Sequence, residues 1–372
     1  MTAGDRRAMT SLARYEIEST VRHPFPIALA LLLVCAALAG GMAPASAGAR
    51  ATAVPGPPAE SAAPELTLAA VGDMMLARSI GAALRRAPDA SPFDGVAQTL
   101  RAADLTVGNL ECAVGSAGTP ARKAYTFLAP PAAAAALADA GFDLVSLANN
   151  HSLDFGTDAL SETARLLDQA GILHPGAGAD EAAAHRPARL TAGGLRLAFL
   201  AYVNVPVERG GFSTASWRAR GDRAGVAWAE PQRIADDVAA ARADADLVIV
   251  LLHSGYEGQQ TTNAAQRASA HAAIDAGAAL VIGAHPHVLQ GAERYHGGLI
   301  AYSLGNFVFD GLYKRSETAI LKVTLSRDGV RSFEWLPVAL RDGRPQLASG
   351  AQASAILKRI ARLSAIENRR TP

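Results

Sequence analysis

Runs of consecutive apolar residues that break abruptly into polar tips recur through the middle of the chain. Leu66-Thr67-Leu68-Ala69-Ala70-Val71 leads into Gly72-Asp73, and Asp104-Leu105-Thr106-Val107 into Gly108-Asn109-Leu110-Glu111. Residues 142–147 lead into Asn149-Asn150-His151, residues 246–252 into His253-Ser254-Gly255-Tyr256-Glu257, and residues 278–283 into Ala284-His285-Pro286-His287. Continuous rather than alternating apolar runs predict strands covered on both faces, as in parallel sheets. Between them, residues 80–86, 96–102, 131–140, 157–170, 232–242 and 264–276 carry the patterns of helices, with proline at the start of the third and Gly171 closing the fourth. Further strands are expected over 195–203, 298–303, 319–325 and 332–340, a short edge strand over 123–127, and a terminal helix over 353–366. The alternation predicts an α/β fold.

The polar tips carry the candidate chemistry. In an α/β sheet, ligands bind beyond the carboxyl ends of the strands. The tips supply Asp73, Asn109, Glu111, Asn150, His151, His253, Glu257, His285 and His287. Pro286 fixes its own φ and pushes His285 out of the helical region, so an extended His285-Pro286-His287 is expected to aim both imidazoles to one side. Oxygen and imidazole donors without thiolate suit manganese, iron or zinc and are a poor match to calcium. Two such ions would use this many ligands and would promote hydrolysis of an ester, above all a phosphoester. The loop 208–229, with Gly210-Gly211, Trp217, Trp228 and several arginines, reads equally as a lid or as an insertion.

Composition narrows the setting. The 372 residues have a net charge of +1, which gives no field for nucleic acid. Arg6, Arg7, Arg14, Arg22 and His23 precede an apolar run over 25–38, and Ala45-Ser46-Ala47 has the small-x-small form of a cleavage site. Residues 1–47 therefore read as a signal peptide or membrane anchor, and 48–64, rich in Ala, Pro, Gly and Ser, as a flexible linker. Export outside the cytoplasm is expected, with membrane association if the segment stays uncleaved. Without that segment Cys112 is the only cysteine, leaving no intrachain disulfide and no cysteine-based zinc site.

Six motifs fall in order between Leu66 and Asp310: Val71-Gly72-Asp73-Met74-Met75-Leu76, Gly108-Asn109-Leu110-Glu111, the stretch from Ser146 through Asn149-Asn150-His151 to Gly156, His253-Ser254-Gly255-Tyr256-Glu257, Ala284-His285-Pro286-His287-Val288-Leu289-Gln290, and Tyr302-Ser303-Leu304-Gly305-Asn306-Phe307. Together they resemble the capsule-synthesis CapA family, associated with poly-γ-glutamate production, whose domain is similar to the calcineurin-like metallophosphatases. The resemblance implies a metallophosphatase-like four-layer α/β/β/α sandwich. A single domain would span 65–345, with a C-terminal helix and tail over 346–372.

By the same resemblance Asp73, Asn150, His253, His285 and His287 match metal-ligand positions, and His151, beside Asn150, matches the histidine that protonates the leaving group. Met75 stands where the wider pattern has a metal-binding histidine. The bridging aspartate has no plain counterpart; Asn109 or Glu111 can substitute, and Glu111 is favoured because it can be anionic. Asn149, Glu257 and Asn306 complete the set as further ligands or as residues supporting them. The implied function is a phosphoester-type hydrolase using one or two divalent ions (Mn, Fe or Zn), with an anionic polymer or phosphoester as substrate. The alternative is a non-catalytic polymer-binding subunit working beside membrane-bound capsule synthesis proteins, with the arginines between Arg209 and Arg223 pairing with carboxylates.

Overall fold

The computed structural model describes residues 64–311 and 316–370; the expected signal or anchor and all but the last residue of the expected linker lie outside the described residues. Two sheets carry the fold. The first has seven strands, in the order Arg344–Leu347, Gly329–Arg341, Glu317–Ser326, Glu65–Met74, Leu105–Leu110 and Leu144–Ser146, with Asn306–Val308 also pairing Glu65–Met74. The second runs Ala292–Tyr295, Gly298–Ala301, Leu280–Ala284, Leu247–Ser254, Leu195–Asn204 and Ala188–Ala192. Glu65–Met74, Leu105–Leu110 and Leu144–Ser146 run parallel in the first sheet, as do Leu195–Asn204, Leu247–Ser254 and Leu280–Ala284 in the second, and the strands that the long apolar runs foretell are all among them.

The period of two along a strand shows how the layers stack. Leu197, Phe199, Ile249, Leu251, Leu280 and Ile282 of the second sheet join Leu68, Val107 and Leu144 of the first in one core. The alternate residues Ala198, Leu200, Val248, Val250 and Val281 face the other way, onto the helices Pro231–Ala241 and Ala264–Asp275. The helices Arg78–Arg86, Ala97–Arg101 and Ala132–Ala140 cover the first sheet with Ile80, Leu84, Leu100 and Leu137. The result is a single-domain α/β/β/α sandwich. The last helix, Gly350–Arg370, buries Ile356 and Ile360 against Leu289 and Ala319, and Asn368 and Ser364 bond both backbone groups of Ala292 at a sheet edge. Among the described residues, no helix is long and apolar enough to cross a membrane.

Two local expectations fail. Residues 123–127 form no strand; the short strand is Leu128–Ala129, parallel to Ala113–Val114, because Lys123 turns inward to buried carboxylates. His285-Pro286-His287 is not extended either: His285 has φ 97° and His287 φ 60°. Both histidines are held in a region that residues with a Cβ rarely occupy, at a cost of order 1–3 kcal/mol each. Convergence of the imidazoles is thus imposed by a strained turn rather than by strand geometry.

Glycine permits the tight closure at this rim. A Cβ on Gly72 would lie 1.8 Å from the carbonyl oxygen of Gly305, so only glycine lets the end of Glu65–Met74 meet the chain entering Asn306–Val308. Next to it, the backbone N–H of Asp73 donates to Gly305 O at 2.9 Å. This places Asp73 between Asn109 on one neighbouring strand and Asn306 on the other.

Candidate metal centre

The carboxyl ends of the parallel strands of both sheets meet, and all the expected ligand-type residues except Glu257 are buried there. Asp73 accepts from Asn109 Nδ2 at 2.8 Å and from the His285 backbone N–H at 3.2 Å, and its Oδ2 lies 3.2 Å from His287 Nδ1. The same His287 nitrogen is 2.9 Å from Asn306 Oδ1. His253 Nε2 lies 2.8 Å from Asn150 Oδ1 and 3.5 Å from Glu111 Oε1. The rings of His253 and His285 are 4.8 Å apart, and those of His285 and His287 5.9 Å.

Two triads have the spacing of cation ligands: Asp73, Glu111 and His253, and Glu111, His285 and His287, each with ligand atoms within 4.8 Å of one another. Glu111 is common to both. Hydrogen bonding alone leaves this cluster unsatisfied. Glu111 Oε1 and His285 Nδ1 are buried without a hydrogen-bond partner. Asn109 Nδ2, with only two hydrogens, faces Asp73, Glu111 and His253 Nδ1 together. Two buried carboxylates beside an orphaned imidazole nitrogen need a cation to offset their desolvation, and the donor set fits a borderline divalent ion.

Titration shifts follow the same crowding. Burial, and then the charge of Asp73, push the Glu111 carboxyl well above its usual range. Burial and the neighbouring histidines hold His253 and His285 well below the usual histidine value. Burial also opposes charge on His287, yet its hydrogen bond to Asp73 and that carboxylate's charge raise it.

Asn149 and His151 are fixed by the turn that follows Leu144–Ser146. Asn149 Nδ2 donates to Asn109 Oδ1 at 3.1 Å and to Leu110 O at 2.8 Å, which orients the Asn109 amide nitrogen toward the acidic pair. Asn149 Oδ1 accepts from the His151 N–H at 2.9 Å. His151 Nδ1 donates to Asp154 Oδ2 at 2.7 Å, so Nε2 looks toward Glu111 Oε1, 3.9 Å away. Phe127 stacks on the His151 ring at 4.2 Å.

Behind His151 lies a set of charges that sequence reasoning missed. Lys123 Nζ is 2.6 Å from Asp154 Oδ1, donates to Asn150 O at 2.8 Å and pairs with Glu208. Glu208 in turn accepts from Asn150 Nδ2 at 2.9 Å. Asp154 had a signal, three residues beyond His151 in the same motif. Glu208 opens the aperiodic loop, and nothing in Lys123-Ala124-Tyr125 announces a buried cation.

A cavity of about 510 Å³ opens onto His151 and His287, lined also by Arg78, Tyr125, Phe127, Glu208, Arg209 and Glu257. The loop 208–229 thus contributes its first residues to the site. Arg218 bonds Glu230 instead, and Arg223 bonds the Arg218 carbonyl; Arg218, Arg220 and Arg223 are absent from the lining of this cavity. Met75 is fully buried in the core. Glu257 stands half-buried at the cavity edge, and the Gly258 N–H, next to it, donates to Pro286 O at 2.8 Å.

Comparison with known proteins gives a consistent family. Residues 67–311 match the model of the bacterial capsule synthesis protein PGA_cap. A capsule biosynthesis protein CapA of Bacillus anthracis is 30% identical over 77% of this chain and 70% of its own length. A PGA biosynthesis protein CapA of Bacillus subtilis is 30% identical over 75% of this chain and 73% of its own. Among solved structures, a provisionally assigned 5′-nucleotidase of Staphylococcus aureus in complex with α-ketoglutarate matches with 13% identity and a TM-score of 0.45, covering 80% of this chain and 58% of that one.

Proposed function

Since the chain belongs to the bacterial capsule synthesis family that includes the CapA proteins, we propose that it is a metal-dependent hydrolase of phosphoester type, acting outside the cytoplasm in the making of a capsule polymer. The observation that carries this reading is Glu111, a buried carboxylate shared by two ligand triads and left with one oxygen unpartnered. Divalent ions there would supply Lewis acidity and a more acidic water. Asp73, Glu111, Asn150, His253, His285 and His287 would hold them, with Asn306 and Asn109 orienting Asp73 and His287. His151, its tautomer set by Asp154, would place a proton on the departing oxygen from Nε2. Phe127 stacks on the His151 ring and Phe309 packs edge-on against Phe127, which gives the cavity an apolar wall beside this position.

The test is metal analysis of purified protein together with turnover of a small phosphodiester, in the natural chain and in His285→Ala. Bound metal and turnover that both fall in the variant support the reading; absence of both in every divalent ion tried overturns it. A second reading, a polymer-binding assembly subunit without turnover, is favoured by Met75, which presents no ligand where the wider pattern has histidine. Polymer binding that survives metal removal, with no turnover, would select it.

A further inference from the structure

A second cavity, of about 490 Å³, lies beside the first and reaches His285, with Val207, Tyr256, Gly258 and Gln259 in its walls. The two share Arg209 and Glu257, and they reach the two histidines of one turn, His287 from the first and His285 from the second. Of the five exposed large apolar side chains among the described residues, three line these cavities: Tyr125 (60% exposed) in the first, Val207 (58%) and Tyr256 (66%) in the second. Exposed apolar side chains gathered at a cleft mark a surface that something covers. Nothing in the chemistry of the metal ligands requires a second cavity or these three side chains.

We infer that the two cavities are arms of one cleft, and that the substrate is a phosphodiester within an extended chain, with chain running from the reacting phosphorus into both arms. This rests on the hydrolase reading above. A phosphomonoester carries an organic group on one side only and would leave one arm empty; a diester carries one on each side. Arg78 in the first arm, its guanidinium 4.6 Å from the centre of the Phe127 ring, and Arg209 at the junction are placed to pair with phosphates of neighbouring units. Asp310, in the first arm, pairs with Arg78 at 3.6 Å while accepting both donors of Ser79, and Glu257 stands beside Arg209 in both arms. Each guanidinium therefore meets a phosphate with part of its charge already offset, and the shape of the cleft rather than net charge carries the inference. Tyr125 and Tyr256 would cover the organic links between phosphates. The reaction forms a bond from water oxygen to phosphorus and breaks the bond from phosphorus to one chain oxygen. That oxygen gains the His151 proton, the water loses one, and the products are a chain ending in alcohol and a chain ending in phosphomonoester.

The test uses the metal-loaded chain with bis(4-nitrophenyl) phosphate, 4-nitrophenyl phosphate, and a dimer and a long chain of phosphodiester-linked glycerol. The diester should be preferred to the monoester, and KM should fall about tenfold from dimer to long chain, the equivalent of ~1.4 kcal/mol. In the double variant Tyr125→Ala, Tyr256→Ala the ratio of the two KM values should move toward one. Preference for the monoester, a KM independent of length, or a ratio unmoved by the variant overturns the inference while leaving the hydrolase reading intact. Absence of turnover with all four probes overturns the hydrolase reading instead; calorimetric affinity for the long chain against the dimer then still decides whether the cleft binds a chain. A long γ-linked glutamate oligomer binding more tightly than the phosphodiester chain overturns the phosphodiester assignment.

Discussion

Lys123 Nζ lies 2.6 Å from Asp154 Oδ1, and neither side chain reaches solvent. The other oxygen of Asp154 accepts from His151, and the same ammonium holds Glu208 and the carbonyl of Asn150. A single cation therefore ties the partner of the proposed acid to the loop that begins at Glu208. Removing it would leave two largely buried carboxylates facing each other. Lys123→Met is expected to destabilise the fold by roughly 3–5 kcal/mol, the range for breaking one side of a buried pair. Urea unfolding measures this, and Lys123→Met with Asp154→Asn should recover part of the loss, whereas equal stability of Lys123→Met and the natural chain would contradict the burial of the ion pair.

His151 and Asp154 make a sharper prediction about chemistry. A residue that protonates the leaving oxygen matters most when that oxygen is basic. His151→Asn should slow hydrolysis of an alkyl phosphodiester by ~10²–10⁴-fold, and of a nitrophenyl ester far less. Asp154→Asn should follow the same dependence on leaving group with a smaller loss, because it alters the tautomer and aim of the imidazole without removing it. Equal losses for both esters would show that His151 only binds or supports.

How much of this was legible depended on whether a feature is carried by neighbours in sequence. The strand 247–254 announces itself because Leu247 to Leu252 is apolar without interruption, and His253 is legible because it breaks that run. Asn149 beside Asn150 and His151 is equally visible, although its task, orienting the Asn109 amide 40 residues away, appears only in space. The edge strand Ala188–Ala192 was missed because it is too exposed and too short to carry a strong pattern. The conformation of His285 and His287 was misread since a proline restricts φ and ψ statistically, and a packed site can override that preference. Lys123 was illegible because a buried cation is defined by its partners, and Asp154 and Glu208 lie 31 and 85 residues away.

Cys112 offers a simple probe of the fold. Its thiol is fully buried and burial pushes its pKa up to about 12, so it has almost no thiolate near neutrality. In a Cys35→Ser chain, labelling by an aromatic disulfide reagent should be negligible under native conditions and should rise in step with urea unfolding. Rapid labelling of the folded chain would mean that the core beside Glu111 opens far more readily than its packing indicates.

The metal-binding proposal predicts a change in the pH dependence of stability. In metal-free protein, His253 and His285 have folded pKa values below the usual 6.5, so the unfolded chain takes up protons first. The stability they allow is present above about 6.5 and is lost as pH falls below it. Glu111 and His287 act in the other direction. Both are raised, so they favour the fold at low pH, and stability declines as pH rises above 4.5 for Glu111 and 6.5 for His287 through their folded values. The metal-free chain should therefore have its highest melting temperature near the usual histidine pKa, with losses on both sides. A divalent ion binds the deprotonated forms and releases these protons, so adding manganese or zinc should raise the melting temperature most on the alkaline side. Glu111→Gln keeps the shape of the side chain and removes the charge shared by the two triads; it should abolish most of the metal-induced rise while relieving the alkaline loss of the metal-free protein. Melting curves across pH, with chelator and with added ion, decide the matter: an alkaline side untouched by any divalent ion in the natural chain would remove the basis for metal binding at Glu111.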